Sequence, residues 1–315
     1  MRPTMAFMQR ARSDEVVVVV VTYNSAELVA DLVASLPAGM DGVPWRLVVV
    51  DNASSDGTVD AVVDAAPDAI VVALDRNAGY AAGINAGVAE TGPGRALLVL
   101  NPDVRLSRGC VPALLAALEL PGVGVAVPRL LDGEGILIPS MRREPKLLRA
   151  VADAVLGAER AGRFARLGEV VTDAAEYDLA QPTDWAEGST QLISAECWRR
   201  CGPWDESFFL YSEETDFHLR VRDHGFTTRY VPTAMAVHLG GDSTTSPTLW
   251  SMLVANRLKL FSGRNGRVRT AAYWAALLVR ELSRAVLGKR TSRRAVRTLL
   301  SPTLLRAPRG PEWSL

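Results

Sequence analysis

The sequence predicts an α/β fold with a mostly parallel central sheet flanked by helices, and two observations predict it. Apolar stretches without charge, which are typical of buried parallel strands, recur at residues 16–21, 47–50 and 96–100. Helical segments separate them, and strands that alternate with helices at this spacing form βαβ units with right-handed crossovers. The 315 residues, of which 48% are hydrophobic, are enough to bury a large core.

Strands and helices are expected in turn along the first 130 residues. Each strand is a short apolar run, and the expected strands are 15–22, 46–50, 70–74, 96–100 and 123–127. The expected helices between them are 25–36, 57–66, 78–90 and 107–120. Ser25 is a suitable N-cap for the first of these helices.

The alternation loosens between residues 128 and 183, where we expect a helical insertion at about 145–167. Beyond it, the expected elements are a strand at 190–194, a helix at 213–224, short strands at 227–231 and 234–238, and a helix at 247–261. One more helix, at about 268–287, is expected in the tail, followed by Arg-rich coil.

The formal net charge is zero, but residues 263–315 hold 12 Lys and Arg against 2 Asp and Glu. Within this tail, residues 268–280 combine arginines with Trp and Tyr in an amphipathic pattern that suits an anionic membrane surface. Packing on the rest of the chain or on a partner subunit is the alternative interpretation. No interleaved aromatic platform supports nucleic-acid binding, so nucleic acid is not expected as a partner.

The composition predicts a cytoplasmic protein. No segment reaches the ~18 apolar residues that a membrane span needs, and residues 1–14 do not resemble a signal peptide. Three cysteines are too few for a disulfide framework. Cys197 and Cys201 lack a second pair at zinc spacing, so we expect them to be buried small apolar residues.

The most informative segment is Asn101-Pro102-Asp103, which follows an apolar strand directly. Pro102 cannot donate a ladder hydrogen bond, so the strand ends there and leaves Asp103 at its carboxyl end. In open α/β sheets this edge binds ligands, and a carboxylate there suits a hard cation that bridges to phosphates. An ordinary polar turn after a strand is the alternative.

Two other strand ends carry polar and small residues. Residues 51–58 and 75–85 each run from a strand into a helix start, where small side chains and free N–H groups let a ligand approach. Asp51 can accept the imide N–H of uracil or thymine, or a ribose hydroxyl, and Arg76 can contact a phosphate. Three strand ends of this kind are harder to attribute to chance than one.

A later cluster places Glu213, Glu214 and Asp216 at a helix start after a run of aromatic residues. Acidic side chains at this position can simply interact favourably with the helix dipole. Like charges this close also raise the pKa of one of their number, which prepares a general base. His238 follows an apolar strand; a lone histidine is more often structural, and contact with a metal or phosphate is the functional alternative.

Taken together, these motifs resemble glycosyltransferase family 2, the inverting enzymes with a GT-A fold, and within it the bacterial rhamnosyltransferase-type members. The resemblance spans about residues 16–261 and depends on the order and spacing of the motifs. They are Thr22-Tyr23-Asn24, residues 51–58, Asn77-Ala78-Gly79-Tyr80 with Asn85, Asn101-Pro102-Asp103, residues 208–211 with 213–216, and Tyr230-Val231-Pro232 leading to His238.

The resemblance implies a GT-A domain at 1–262 and a basic amphipathic helical tail at 263–315. Within the domain it implies a nucleotide-binding half at about 15–128, the helical insertion at about 129–183, and an acceptor and catalytic half at about 184–262. It also implies a cation, Mg²⁺ or Mn²⁺, as cofactor. Because members of the family act on lipid-linked acceptors, it further implies peripheral contact of the tail with the inner face of the plasma membrane.

Site residues are carried over from the resemblance by position. The implied nucleotide-binding residues are Thr22, Tyr23, Asn24, Asp51, Asn52, Ser54, Arg76, Asn77, Gly79 and Asn101. Those implied for the acceptor are Gly188, Ser189, Trp204 and Asp205, and those for the metal are Asp103 and His238. Glu214 takes the position of the catalytic base, and the choice between it, Glu213 and Asp216 stays open. Asn101 stands where the family's metal-binding motif usually begins with Asp.

The implied reaction is glycosyl transfer with inversion from a nucleotide-diphosphate sugar to a hydroxyl of a glycan or lipid-linked acceptor, in cell-envelope or polysaccharide synthesis. Thymidine-diphosphate rhamnose is the favoured donor, and uridine- or guanosine-diphosphate sugars stay open. A nucleotidyltransferase is one alternative, but the Gly-rich basic loop expected after the first strand is replaced by Thr22-Tyr23-Asn24. A nucleotide-sugar binding protein without catalysis is the other. Hydride transfer is disfavoured because no Gly-x-Gly-x-x-Gly follows that strand.

Overall fold

Parallel strands and the helices between them organise the chain, and the computed structural model describes residues 12–240 and 246–314. The strands are β1 (Val16–Thr22), β2 (Trp45–Asp51), β3 (Ile70–Ala73), β4 (Ala96–Leu100), β5 (Val104–Leu106), β6 (Val123–Leu131), β7 (Met141–Arg142), β8 (Gln181–Thr183), β9 (Trp185–Ala186), β10 (Thr190–Ser194) and β11 (Thr227–His238).

The α-helices complete the layers on either side of the sheet and form the C-terminal region. They are α1 (Ala26–Met40), α2 (Thr58–Ala65), α3 (Tyr80–Thr91), α4 (Cys110–Leu118), α5 (Leu147–Leu156), α6 (Ala158–Gly162), α7 (Ala195–Cys201), α8 (Glu213–Asp223), α9 (Pro247–Arg264), α10 (Arg267–Val286), α11 (Arg290–Leu300) and α12 (Pro302–Arg306).

Within the described residues, nine strands form one mixed sheet in the order β3-β2-β1-β4-β10-β6-β11-β5, with β8 paired to β11. β1 to β4 are mutually parallel, β10 is antiparallel to both β4 and β6, and β11 runs parallel to β6. Six of the nine therefore share one direction, which confirms the predicted α/β fold with a mostly parallel sheet. β7 and β9 form a separate two-stranded sheet.

Alternate side chains of β1 build two core layers, one on each face of the sheet. Val16, Val18 and Val20 pack with α1 and α4, whereas Val17 and Val19 pack on the face that carries α3, α7 and α8. Every valine from 16 to 21 is at most 5% exposed. Burial on both faces is the reason that this strand reads as an unbroken apolar run.

The antiparallel strand β10 is the feature of the sheet that matters most for the site. It enters beside the carboxyl end of β4, where Thr190 pairs with Leu100 and the Asn101 N–H donates to the Ser189 carbonyl (2.9 Å). Residues 187–189, from the second half of the chain, therefore lie next to the strand end that carries Asp103.

Several expectations about individual elements need correction. Strand β5 and helix α7 were not expected, and residues 227–238 form one strand whose register shifts between Val231 and Met235. Ser25 occupies the N-cap position of α1 but makes no capping hydrogen bond through its side chain. Asp56 accepts from the Ala26 N–H instead (3.1 Å), because the 51–58 loop folds over the start of α1.

The prediction of Arg-rich coil after residue 287 is also wrong, because helix α11 lies there. Ala295 and Leu299, four residues apart, are buried against neighbouring helices while Arg293 and Arg297 stay exposed. The apolar stripe is narrow, and the arginines around it obscured the helical period. Cys197 and Cys201 are free and buried, as expected.

One face of the tail packs firmly on the rest of the chain. Tyr273 of α10 stacks on Phe261 of α9 with ring centroids 4.0 Å apart, and Arg280 pairs with Asp153 of α5 at 2.7 Å. The indole N–H of Trp250 donates to Glu281 (3.0 Å). Among the described residues, no helix combines the length and the hydrophobicity needed to cross a membrane. Residues 1–11, where the signal-peptide expectation applies, lie outside the described part.

Candidate active site

The carboxyl ends of β1 and β2 form a polar pocket around Asp51. This carboxylate is 3% exposed and accepts from the Thr22 hydroxyl (3.0 Å), the Ser54 N–H (2.8 Å) and the Ser54 hydroxyl (2.5 Å). Three donors leave about one of its four acceptor positions for a further N–H or O–H. The predicted base-binding carboxylate is thus held in a fixed orientation.

Two asparagines join the neighbouring loops to this pocket. Asn24 adopts a left-handed backbone (φ 49°), and its Oδ1 accepts from the Ser55 N–H (2.9 Å). Asn52 accepts from the Ala78 N–H and donates to the Gly79 carbonyl, both at 3.2 Å. The strand-end loops of β1, β2 and β3 therefore form one connected unit, which brings most of the predicted nucleotide-binding residues to a single edge.

Asp103 and His238 meet at the end of β4 and β11, and Glu187 completes a chain of three. His238 Nε2 lies 3.2 Å from Asp103 Oδ2, and Nδ1 lies 2.7 Å from Glu187 Oε1. Burial lowers the pKa of His238, but its hydrogen bonds to Asp103 and Glu187 and the charges of both raise it to about 10. The imidazole is therefore a cation held between two carboxylates.

Asp103 also has the feature that a cation site requires. Its Oδ1 atom is buried and has no hydrogen-bond partner among the described residues. Within residues 12–240 and 246–314, no group of three or more His, Cys, Asp or Glu side chains is arranged to hold a metal ion. The side chains fit a divalent cation that takes Asp103 as its principal protein ligand and the oxygens of a bound diphosphate as the others.

The three acids at the start of α8 have three different environments. Glu213 is 2% exposed, and burial together with the charge of Glu214 raises its pKa well above its usual range. Asp216 pairs with Arg220 one turn along the helix (2.7 Å). Glu214 is partly exposed at the cleft, and burial raises its pKa to about 7. Of the three, Glu214 is the carboxylate that combines access with a pKa suited to a general base.

Gly188 forms the floor under Glu214. A Cβ atom built on Gly188 would lie 3.2 Å from Glu214 Cβ and 3.4 Å from its Cγ, closer than ordinary side-chain contacts. The segment that carries Gly188 is supported from behind by His218, whose Nε2 lies 2.8 Å from Gln191 Oε1. Burial lowers the pKa of His218 to about 3, so this imidazole is neutral and structural.

Tyr80 shows that the two groups of acids share one cleft. Its hydroxyl donates to the Gly188 carbonyl (3.4 Å). Burial raises its pKa well above the usual value, and the charges of Glu213, Asp103, Glu214 and Glu187 add to the effect. Four carboxylates from three separate parts of the chain therefore lie within electrostatic reach of the same phenol.

Trp204 does not have the predicted place on the acceptor side. Its ring is 1% exposed, stacks on Phe217 (centroids 5.3 Å apart) and meets Tyr80 edge-on (6.1 Å). No face of the indole is left for an acceptor, so Trp204 supports Tyr80 instead. Asp205 is exposed and accepts from the Ser207 N–H (2.9 Å), which caps the short helical turn that follows.

Sequence reasoning missed Glu187 and Arg142 and assigned no role to Tyr80. Arg142 lies over the Trp185 ring (5.8 Å), and its charge lowers the pKa of both Glu187 and Glu214. No local signal identifies Arg142, because it comes from the loosely patterned insertion. Glu187 precedes the Gly188-Ser189 pair directly and was within reach of motif reasoning.

An α/β sheet whose strand ends offer a polar pocket, a cation-binding carboxylate and a facing carboxylate that titrates near neutrality is typical of transferases that use nucleotide substrates. The sequence model described as "Glycosyl transferase family 2" matches residues 17–144. An N-acetylglucosaminyl-diphospho-decaprenol L-rhamnosyltransferase of Mycobacterium tuberculosis is 32% identical over 246 residues, which cover 74% of this chain and 78% of that protein. The chain therefore belongs to glycosyl transferase family 2, as its motifs predicted.

More distant relatives agree with this assignment. The low-salt glycan biosynthesis hexosyltransferase Agl10 of Haloferax volcanii is 27% identical over 235 residues, which cover 73% of this chain and 69% of Agl10. The mannosyltransferase PcManGT of Pyrobaculum calidifontis, solved with GDP-mannose and Mn²⁺, superposes with a TM-score of 0.55 at 16% identity and covers 94% of this chain and 83% of its own. GalNAc-T7, solved with UDP, GalNAc and Mn²⁺, gives a TM-score of 0.59 at 13% identity, covering 91% and 56%. These structures support the GT-A fold.

Proposed function

We propose that this glycosyltransferase moves a sugar from a nucleotide-diphosphate donor to a hydroxyl of a lipid-linked glycan, with inversion at the anomeric carbon, in cell-envelope synthesis. One observation carries the proposal. Glu214, with its raised pKa, lies beside Gly188, whose carbonyl accepts from the Tyr80 hydroxyl, and Asp103, with its unpartnered Oδ1, lies within electrostatic reach of the same phenol. A base and a cation site on one cleft are what a single-displacement transfer requires.

The donor is proposed to bind along the strand ends. Asp51 accepts an N–H of the base, with Thr22 and Asn24 beside it, and the exposed Arg76 contacts the diphosphate. Asp103 would hold Mg²⁺ or Mn²⁺, which would neutralise charge on the departing diphosphate. His238 does not fit the predicted role of metal ligand, because both nitrogens of its protonated ring contact carboxylates and leave no lone pair for a metal. The protonated imidazole of His238 adds a second positive group near the same oxygens.

Glu214 is proposed to act as the base. Its carboxylate takes the proton of the acceptor hydroxyl while that oxygen forms a bond to the anomeric carbon. The bond from this carbon to the diphosphate oxygen breaks in the same step, and its electron pair leaves with the diphosphate. The proton ends on Glu214, and no covalent enzyme intermediate forms. Glu213 is only 2% exposed and therefore does not compete for the acceptor.

Thymidine-diphosphate rhamnose is the donor we favour, because the mycobacterial relative is named as a rhamnosyltransferase that acts on a diphospho-decaprenol acceptor. The test is a donor panel of thymidine-, uridine- and guanosine-diphosphate sugars with a prenyl-diphosphate N-acetylglucosamine acceptor. The expected result is release of nucleoside diphosphate and a product heavier by one sugar with inverted configuration. Binding without release would indicate a nucleotide-sugar binding protein. Consumption of added pyrophosphate, with formation of a nucleoside triphosphate and a sugar 1-phosphate, would indicate a nucleotidyltransferase; either result refutes the proposal.

We also propose that the outer face of α10 contacts an anionic membrane surface, where a lipid-linked acceptor is found. Four exposed apolar side chains repeat at helical spacing on this face: Val268 (85% exposed), Val279 (55%), Leu282 (42%) and Val286 (85%). The packed neighbour α5 adds further exposed apolar residues, such as Val155 at 75%. The positive charge of the tail complements anionic headgroups, which is the argument for a membrane over a second copy of the chain.

Substitution of a residue on this face distinguishes contact with a membrane from contact with a second copy of the chain. Val279→Asp should abolish co-sedimentation with phosphatidylglycerol vesicles, while Val63→Asp, at an equally exposed valine of α2 (51%), should leave it unchanged. Vesicles of phosphatidylcholine alone test whether charge is needed. Binding that survives Val279→Asp, or a dimer that this variant converts to a monomer, would refute the membrane assignment.

A further inference from the structure

The loop that leads into the catalytic helix has an unusual backbone. Phe209, Tyr211 and Ser212 have φ values of 56°, 69° and 75°, which are rare for residues with side chains. Such a conformation is strained and persists only where the surroundings hold it. Glu213 and Glu214 follow this loop directly, so whatever holds the loop also sets their position.

A single buried side chain on α9 holds the loop. Asn256 is 0% exposed, and its amide nitrogen donates to the carbonyls of Phe208 (2.8 Å), Leu210 (2.9 Å) and Tyr211 (3.1 Å). The amide has two hydrogens, so one of them is shared between two carbonyls. Lys259, one turn further on, donates to the Ser207 carbonyl at the start of the same segment.

The far C-terminus determines which way this amide points. Arg309 donates from Nε to Asn256 Oδ1 (3.0 Å), and its other nitrogens donate to the carbonyls of Leu304, Leu305 and Ala307. A guanidinium has only donors, so it must face the amide oxygen. The amide nitrogen is thereby directed at the loop. The Trp313 ring covers the guanidinium at 4.9 Å.

On its other side the loop contacts the start of α3. The Tyr80 N–H donates to the Phe209 carbonyl (2.8 Å), and a Cβ on Gly79 would lie 2.4 Å from that oxygen. The loop therefore leads directly into Glu213 and also holds the backbone of Tyr80, whose phenol is within electrostatic reach of the four carboxylates. A displacement of the loop would move Glu214 and Tyr80 together.

We propose that Arg309 and Asn256 form a positioning relay, through which the C-terminal segment holds the 208–212 loop and sets the place of Glu214 opposite the donor. Neither residue touches a substrate. This inference rests on the proposed function where turnover is the readout, and amide hydrogen exchange tests it without any activity.

Two variants and a matched control test the relay in the full-length protein. Asn256→Asp keeps an oxygen for Arg309 but removes all three donations to the loop. Arg309→Ala removes the other end of the relay. Arg306→Ala, at an exposed arginine of the same segment, is the control. Exchange is followed in peptides that cover residues 205–217 and 300–311, and turnover is measured as kcat, donor KM and the pH profile of kcat.

Asn256→Asp should speed exchange in 205–217 and leave 300–311 protected, whereas Arg309→Ala should speed exchange in both. Because Glu214 would no longer be aligned with the reacting groups, each relay variant should lower kcat about 10- to 100-fold with donor KM nearly unchanged. Water entering beside Glu214 should move the acidic limb of the kcat profile below pH 7. Arg306→Ala should match the wild type throughout.

Unchanged exchange in 205–217 for both relay variants would overturn the proposal, as would a fall in kcat with no change in the pH profile. If the wild type transfers no sugar from any donor, the proposed function fails, and the exchange results still decide whether the relay holds the loop.

Discussion

Replacement of Glu214 by Gln should make the protein inactive and more stable at the same time. The amide keeps the shape of the side chain but cannot take a proton from an acceptor hydroxyl. Loss of a general base lowers kcat on the order of 10²- to 10⁴-fold. Donor affinity should stay nearly unchanged, because Glu214 lies outside the strand-end pocket that surrounds Asp51.

The gain in stability follows from the raised pKa. The Glu214 carboxyl goes from 4.5 to about 7 on folding, so the folded protein holds this proton more tightly than the unfolded chain does. The free energy of unfolding therefore falls as pH rises from about 4.5 to 7, and the cost is complete above pH 7. At about 1.4 kcal/mol for each factor of ten in proton affinity, the wild type loses about 3 kcal/mol. Glu214→Gln should regain up to this amount at pH 8 and almost none at pH 4.5.

Denaturant unfolding at pH 5 and pH 8, together with single-turnover transfer assays, checks both effects. Asp64→Asn, at an exposed aspartate of α2, is the control for removal of one negative charge. A variant that keeps more than a tenth of the wild-type kcat would refute Glu214 as the base. A stability gain equal at the two pH values would show that folding does not raise the pKa of this carboxyl group.

Four further predictions can be checked with the same assays. The wild-type kcat should fall about tenfold per pH unit below pH 7, because protonated Glu214 cannot act as base; a flat profile from pH 5 to 8 would contradict this. Gly188→Ala should lower kcat about tenfold at unchanged donor KM, since its methyl group would press on Glu214. Gly79→Ala should lower the free energy of unfolding by roughly 1–3 kcal/mol, measured by urea titration, because φ is +96° and the new Cβ meets the Phe209 carbonyl. Chelation should abolish transfer, Mn²⁺ should restore it, and Asp103→Asn should weaken Mn²⁺-dependent thermal stabilisation by nucleoside diphosphate; transfer that persists in chelator would exclude a required cation.

Local pattern was sufficient to predict strands β1 to β4 and the helices between them. The valine run of β1 predicts a buried strand, and the Asn-Pro-Asp sequence after β4 predicts where that strand ends; both strands lie where they were expected. Helix α11 was missed because its apolar stripe is narrow and surrounded by arginines, so burial against other helices decides its structure. Asp216 could have been assigned from sequence alone, since Arg220 stands four residues later on the same helix face.

The amino-acid sequence by itself determined the alternation of strands and helices, the family, and the set of acids from which the site is drawn, because hydrophobic period and strand-end chemistry are local. Which acid can act as base was decided only by the tertiary structure. The pKa of Glu214 is raised by burial, and Gly188, which lies against its side chain, is remote in the chain. The same is true of Trp204, whose neighbours Tyr80 and Phe217 enclose it. Desolvation and contact depend on what packs against a side chain, and that is a property of the folded whole.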